Sequence, residues 1–151
     1  MRVVIALGSN LGESRQILLD AINELRKLIR VDAVSTFIET EPVGGVLQPN
    51  YLNAVLIGES ELEPTDVMVR LLEIEAKAGR ERIIRWGART LDLDFIAAES
   101  LVLASEVLTL PHPRAHERAF VLSPWLEIDP NGYIPGKGSI AALLAGLTQE
   151  E

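Results

Sequence analysis

The sequence predicts an α+β fold: a ferredoxin-like βαββαβ core with a mainly antiparallel sheet, followed by a C-terminal hairpin and helices. Two observations predict it. The first six periodic segments follow the order strand, helix, strand, strand, helix, strand. The opening segment is apolar on both faces, which suits the middle of a sheet. In such a fold strands one and three lie side by side at the centre, with strand four beside strand one.

Strand one, Arg2 to Leu7, sets Val3, Ile5 and Leu7 on one face and Val4 and Ala6 on the other. Gly8 to Gly12 is a turn. From Ser14 to Ile29 the residues Ile17, Leu18, Ala21, Ile22, Leu25, Leu28 and Ile29 recur at helical spacing, which predicts an amphipathic helix. Strand two is expected from Ala33 to Thr40 and stops where Pro42, Gly44, Gly45 and Pro49 impose a loop. Strand three, Tyr51 to Gly58, projects Tyr51, Asn53, Val55 and Ile57 from one face, so an aromatic ring and an amide emerge together beside that loop. Pro64 suits the first turn of a second helix and Gly79 its end. The expected inward stripe is Met68, Leu71, Leu72, Glu75 and Ala78. Glu75 is an acid on that stripe, either an edge position that reaches water or a group with a direct role. After an arginine-bearing loop come a strand from Asp92 to Ala98, a hairpin through Glu99 and Ser100, and further strand from Leu101 to Leu110. Short helical segments follow from Ala115 to Leu126, and Ser139 caps a last helix, Ile140 to Leu147.

A chain of 151 residues is expected to form one domain, residues 1–151, with a real core. Its 48% hydrophobic and 24% charged residues are ordinary for a globular protein, and no apolar run approaches a membrane span. The absence of cysteine removes disulfides, thiolate metal sites and cysteine nucleophiles, and fits a cytoplasmic protein. A net charge of −8 argues against non-specific binding to nucleic acid or anionic membrane. The expected state is a monomer acting on small molecules. Locally the sign reverses: of eleven arginines, Arg80, Arg82, Arg85 and Arg89 fall within ten residues, beside one acid, Glu81. Screening confines exposed charges to about 8 Å, so such a cluster can override the global balance.

Several familiar sites fail on inspection. Gly8 to Gly12 lacks the length and the Lys-Ser/Thr of a P-loop and the glycine spacing of a dinucleotide turn. His112 and His116 have the spacing of two zinc ligands, but Pro113 lies between them and the motif is not H-E-x-x-H. No serine sits in a nucleophile elbow. What remains is Asp92-Leu93-Asp94. Strand alternation points both carboxylates the same way, roughly 6.5 Å apart, with Leu91, Leu93 and Phe95 on the other face. Alone, that pair is equally a solvated edge-strand face. Beside clustered arginines it suits magnesium, which takes one or two carboxylates and completes its shell with phosphates and water. Arginines on a loop can grip phosphate oxygens and stabilise an in-line displacement. The reaction class implied is phosphoryl or pyrophosphoryl transfer. Tyr51 and Asn53 offer a stacking surface and an edge reader for a flat heterocycle, although a tyrosine also simply packs. Nucleotidyl transfer is a rival, but there the carboxylates follow a Gly-Ser turn closely, and here Gly8 and Asp92 are more than eighty residues apart. A non-catalytic ligand-binding module is the other alternative.

Four runs carry a resemblance: Ala6-Leu7-Gly8-Ser9-Asn10-Leu11-Gly12; Gln48 to Ala54; Arg85-Trp86-Gly87-Ala88-Arg89-Thr90-Leu91-Asp92-Leu93-Asp94-Phe95-Ile96; and Leu110-Pro111-His112-Pro113-Arg114 with Arg118-Ala119-Phe120-Val121-Leu122. Together they resemble the 6-hydroxymethyl-7,8-dihydropterin pyrophosphokinase family of folate biosynthesis, which transfers diphosphate from ATP to a pterin alcohol and releases AMP. The resemblance implies that Asp92 and Asp94 bind two magnesium ions against ATP. It implies that Tyr51 and Phe120 sandwich the pterin, with Asn53 and the backbone around Thr40, Pro42 and Val43 reading its edge. Arg80, Arg82 and Arg89 would grip phosphates, Trp86 would help seal the site, and Glu75, Arg85, His112 and Arg118 would stand on the nucleotide side. Read without the resemblance, Phe120 is core packing and Arg118 a surface ion pair. Three departures stand out: Ala88 replaces a common proline, Pro113 a common aromatic, and Phe95 a smaller aliphatic.

Overall fold

The computed structural model describes residues 1–10, 13–41, 50–80 and 91–149. Among these, the chain forms a mixed α/β structure about a mainly antiparallel sheet. The strands are β1 (Arg2–Ser9), β2 (Arg30–Val34), β3 (Ile38–Thr40), β4 (Tyr51–Glu59) and β5 (Asp92–Ala98), in the order β2-β4-β1-β5 with β3 also paired to β4. Every pairing is antiparallel. As expected, β1 is central and buried on both faces. The strand carrying Asp92 and Asp94 lies at the sheet edge, beside β1.

Strand alternation sorts β1 into two cores. Val3, Ile5 and Leu7 pack with Leu56, Leu93 and Phe95 beneath α1 (Ser14–Arg26) and α2 (Pro64–Arg80). On the opposite face Val4 and Ala6 pack with Val55, Ile57 and Ile96 against α3 (Ala119–Ile128) and α4 (Ile140–Gln149). The molecule thus has helices on both faces of the sheet, and the functional residues emerge where that second face runs out at the Gly8 end of β1.

Four expectations need correction. Strand two is two strands, because the Ser35 hydroxyl accepts a hydrogen bond from the Val55 N–H at 2.9 Å, where a backbone carbonyl would continue the ladder. The Glu127 carboxylate of α3 then takes the Thr36 N–H and hydroxyl, at 3.1 and 2.9 Å. The first helix ends at Arg26, and Leu28 and Ile29 pack from the turn beyond it. On α2 the buried residues are Val67 and Leu71, whereas Leu72 is 49% exposed, one position off the stripe. Glu99 and Ser100 turn the chain, but the following residues pair with each other as β6 (Leu103–Ala104) and β7 (Thr109–Leu110) and not with β5. Ser105 closes that hairpin, its hydroxyl donating to the Leu108 carbonyl and accepting from the Leu108 N–H. A short 3-10 turn (Ala115–Glu117) precedes α3. A second small hairpin, β8 (Tyr133–Ile134) with β9 (Gly138–Ser139), leads into α4, where the Ser139 hydroxyl caps the Ala142 N–H at 3.2 Å as expected.

Candidate active site

The register of the three central strands builds the site. Gly8 on β1 lies opposite Asn53 on β4 and Asp92 on β5, and Ala6 lies opposite Asp94. Two small residues on the middle strand therefore leave a trough, with a carboxamide on one flank and two carboxylates on the other. Thr40, Glu41 and Tyr51 extend the first flank, and Arg114, Glu117, Arg118 and Phe120 close the far side. The cavity measures about 550 Å³, within the roughly 300–1,000 Å³ typical of small-molecule sites.

On the carboxylate flank Asp92 and Asp94 are both half-buried and share a face, with Leu93 between them buried in the opposite core. Asp94 Oδ2 is 3.8 Å from Arg118 Nη1, and the Arg118 guanidinium lies 5.7 Å from the centre of the Phe120 ring. Arg118 and Phe120 are thus neither a bare surface pair nor pure core packing. Both line the cavity. The Leu93 N–H donates to Glu75 Oε2 at 2.7 Å, so the acid on α2 ends on the backbone of the aspartate strand.

His112 is placed by an irregularity that the sequence does not announce. The β1–β5 register shifts between Val4 and Ile5, leaving Ile96 as an extra residue, and its carbonyl accepts the His112 N–H at 2.8 Å. The His112 Nδ1 accepts the Arg114 N–H at 3.2 Å, which assigns the proton of the neutral ring to Nε2. Burial pushes its pKa below the ordinary 6.5; nearby Asp94 opposes that, and Arg118 and Arg114 add to it. The balance favours the neutral imidazole.

The opposite flank is built on Asn53. Asn53, 6% exposed, donates from Nδ2 to Thr40 Oγ1 at 2.6 Å. A Cβ at Gly8 would come within 3.0 Å of Asn53 Oδ1. Glycine is what lets the carboxamide lie across the central strand.

The structure thus brings Thr40, Tyr51, Asn53, Asp92, Asp94, Arg118 and Phe120 to one cavity, with His112 and Glu75 adjoining its carboxylate flank. Arg80 is the last residue of α2. Pro42, Val43, Arg82, Arg85, Trp86 and Arg89 lie outside the described residues. Sequence reasoning missed Ala6, Gly8, Glu41, Arg114 and Glu117. Only the small pair could have been read in advance, from their i, i+2 spacing on a central strand. Among the described residues no group of three or more metal-ligating side chains occurs. Two carboxylates open to a cavity still fit magnesium, whose remaining ligands are phosphate and water oxygens.

A family model described as 7,8-dihydro-6-hydroxymethylpterin-pyrophosphokinase matches residues 4–130. Relatives named 2-amino-4-hydroxy-6-hydroxymethyldihydropteridine pyrophosphokinase include one from Mycobacterium tuberculosis, 42% identical over 97% of this chain and 84% of its own. Another, from Aquifex aeolicus, is 33% identical over 85% of this chain and 81% of its own. A third, from Haemophilus influenzae, is 39% identical over 93% and 89%. Two crystal structures of Plasmodium falciparum HPPK-DHPS share the fold, with TM-scores of 0.78 and 0.71 at 12% identity over 99% of this chain. The chain spans about half of those longer proteins, 46% and 44%. Matched from the centre of its sheet to the end of α3, with close relatives along most of its length, the chain belongs to the 7,8-dihydro-6-hydroxymethylpterin-pyrophosphokinase family.

Proposed function

We propose that the protein transfers diphosphate from ATP to the hydroxymethyl group of 6-hydroxymethyl-7,8-dihydropterin and releases AMP, as a step of folate biosynthesis. One observation carries the reading: a single cavity has Asp92 and Asp94 on one flank and Tyr51, Asn53 and Phe120 on the others. The pterin ring would stack between Tyr51 and Phe120. Asn53, with one Nδ2 proton committed to Thr40, keeps its second proton for the heterocycle edge. Pro42 and Val43 would complete that edge through their backbone.

Asp92 and Asp94 would hold two magnesium ions, which when bound would neutralise polyphosphate charge. The described lining carries four acids, Glu41, Asp92, Asp94 and Glu117, against two arginines, Arg114 and Arg118. Such a wall repels a nucleotide triphosphate unless cations join it. Arg80, Arg82 and Arg89 would supply further positive charge, Trp86 would exclude water, and Arg85, His112 and Arg118 would contact the nucleotide. Neutral His112 donates from Nε2 to a phosphate oxygen. The acceptor oxygen forms a bond to the β-phosphorus as the bond from that phosphorus to the α,β-bridging oxygen breaks; AMP leaves with the electron pair, and the hydroxyl proton passes to solvent. No strong general base is needed, because such transfers depend mainly on positioning and electrostatics.

We also read the order β2-β4-β1-β5, with α1 and α2 together on one face, as the ferredoxin-like arrangement, and the 151 residues as one domain of a cytoplasmic monomer. No helix among the described residues is long and apolar enough to cross a membrane.

The test is incubation of purified protein with ATP, magnesium and the pterin alcohol. AMP and pterin diphosphate should form one to one. Release of ADP, or of free diphosphate with the nucleotide joined to the pterin, would overturn the reading. Asp92→Ala should lower turnover by about two to three orders of magnitude, the scale of losing a main electrostatic contribution, with an unchanged circular dichroism spectrum.

A further inference from the structure

We infer that Glu75 is a positioning residue: its carboxylate pins the edge strand β5 at the residue between Asp92 and Asp94, and so sets the spacing at which those carboxylates receive a divalent cation. The inference rests on the metal role proposed for the two aspartates. It assigns Glu75 a task distinct from touching nucleotide.

The geometry follows from the ladder. In an antiparallel pair, alternate residues turn their N–H and C=O groups toward the neighbour and away from it. Leu93 pairs with Leu7 but sends its N–H outward, to Glu75 Oε2 at 2.7 Å. Asp92 and Asp94 therefore turn their backbone groups inward to β1, at Gly8 and Ala6. Because β5 is the sheet edge among the described residues, no further described strand takes the outward groups. The strand starts at Asp92, so Leu93 is its second residue and the hydrogen bond falls at the start of the ladder. The side chain from α2 takes an outward N–H at the residue that separates the two carboxylates. At 2.7 Å the contact is well within hydrogen-bond range, and it depends on the length of the side chain that reaches from α2. Leu93 is only 3% exposed, which anchors the same residue from the core side. Leu93 is thus clamped through its side chain and its N–H together, and the aspartates on either side of it inherit the constraint.

Reach and charge separate this role from an electrostatic one. Glu75→Gln keeps the reach and an acceptor oxygen but loses the charge; Glu75→Asp keeps the charge but is one methylene short. Mn²⁺ binding in the presence of an ATP analogue with a methylene α,β-bridge, followed by electron paramagnetic resonance, reads the metal site without turnover. Amide exchange at Leu93 in the metal-free protein reads the pin directly. Glu75→Gln should stay within about threefold of wild type in both. Glu75→Asp should weaken Mn²⁺ binding roughly tenfold, as loss of an outer partner of a metal site does, and should speed Leu93 exchange. Equal loss in both variants, or a Glu75→Asp protein that melts lower while binding Mn²⁺ normally, overturns the inference. Asp92→Asn is the control. If it leaves Mn²⁺ binding intact, the metal reading fails and takes the inference with it, whereas normal dependence on Asp92 with no effect of Glu75→Asp sinks the inference alone.

Discussion

Adding one methyl group to Gly8 is the smallest change that reaches the acceptor side of the cavity. The new Cβ would stand 3.0 Å from Asn53 Oδ1, so the carboxamide that Thr40 holds would have to shift. Gly8→Ala should raise the KM for the pterin about tenfold, the ~1.4 kcal/mol scale of one displaced hydrogen bond, while the KM for ATP stays unchanged in steady-state kinetics. His112 gives a pH signature. Its folded pKa lies below 6.5, so as the pH falls through that value the unfolded chain takes up a proton that the folded protein refuses. Stability associated with this residue is full above pH 6.5 and is lost between there and the folded pKa. Urea unfolding of His112→Gln should therefore lose less stability between pH 7.5 and 5.5 than wild type does. In Asp94→Asn, which removes the group that holds the pKa up, NMR titration should find His112 lower still. The same-face geometry of Asp92 and Asp94 was legible from alternation alone. The neutral histidine was not, because its environment comes from a bulge and from a segment far along the chain.

At the scale of elements, the break between β2 and β3 shows a side chain competing with a ladder. Ser35 both donates its N–H to the Val55 carbonyl and accepts the Val55 N–H on its hydroxyl, each at 2.9 Å. Ser35→Ala should cost about 1–3 kcal/mol by leaving a buried N–H without a partner, measurable by urea unfolding. The periodicity over Ala33 to Thr40 contains no sign of this, since Ser and Thr fit a strand as readily as a turn. The exposed Leu72 has a similar cause. A stripe counted at 3.6 residues per turn fixes the width of an apolar face but not its centre, and the packing of α2 on the sheet chose Val67 and Leu71.

The whole molecule is held by helices pressed on both sides of one sheet, and Trp125 is the largest side chain buried on the α3 face, 2% exposed with Nε1 donating to Asp129 Oδ2 at 3.1 Å. Trp125→Ala should destabilise the fold by about 3–5 kcal/mol, seen as a lowered denaturation midpoint. Asp129 also lies 3.4 Å from Arg2, tying the end of α3 to the start of β1. Local pattern was enough for a mixed α/β fold about a mainly antiparallel sheet, the two-faced burial of β1, the shared face of Asp92 and Asp94, and the runs that mark the family. These depend on neighbours one to four positions away, where backbone geometry leaves few choices. Long-range packing put Gly8 between Asn53 and Asp92, made Ile96 bulge to hold His112, and brought Glu75 onto the Leu93 N–H. Each of those joins residues from separate elements, and their meeting is set by strand register and helix packing, which no local pattern encodes.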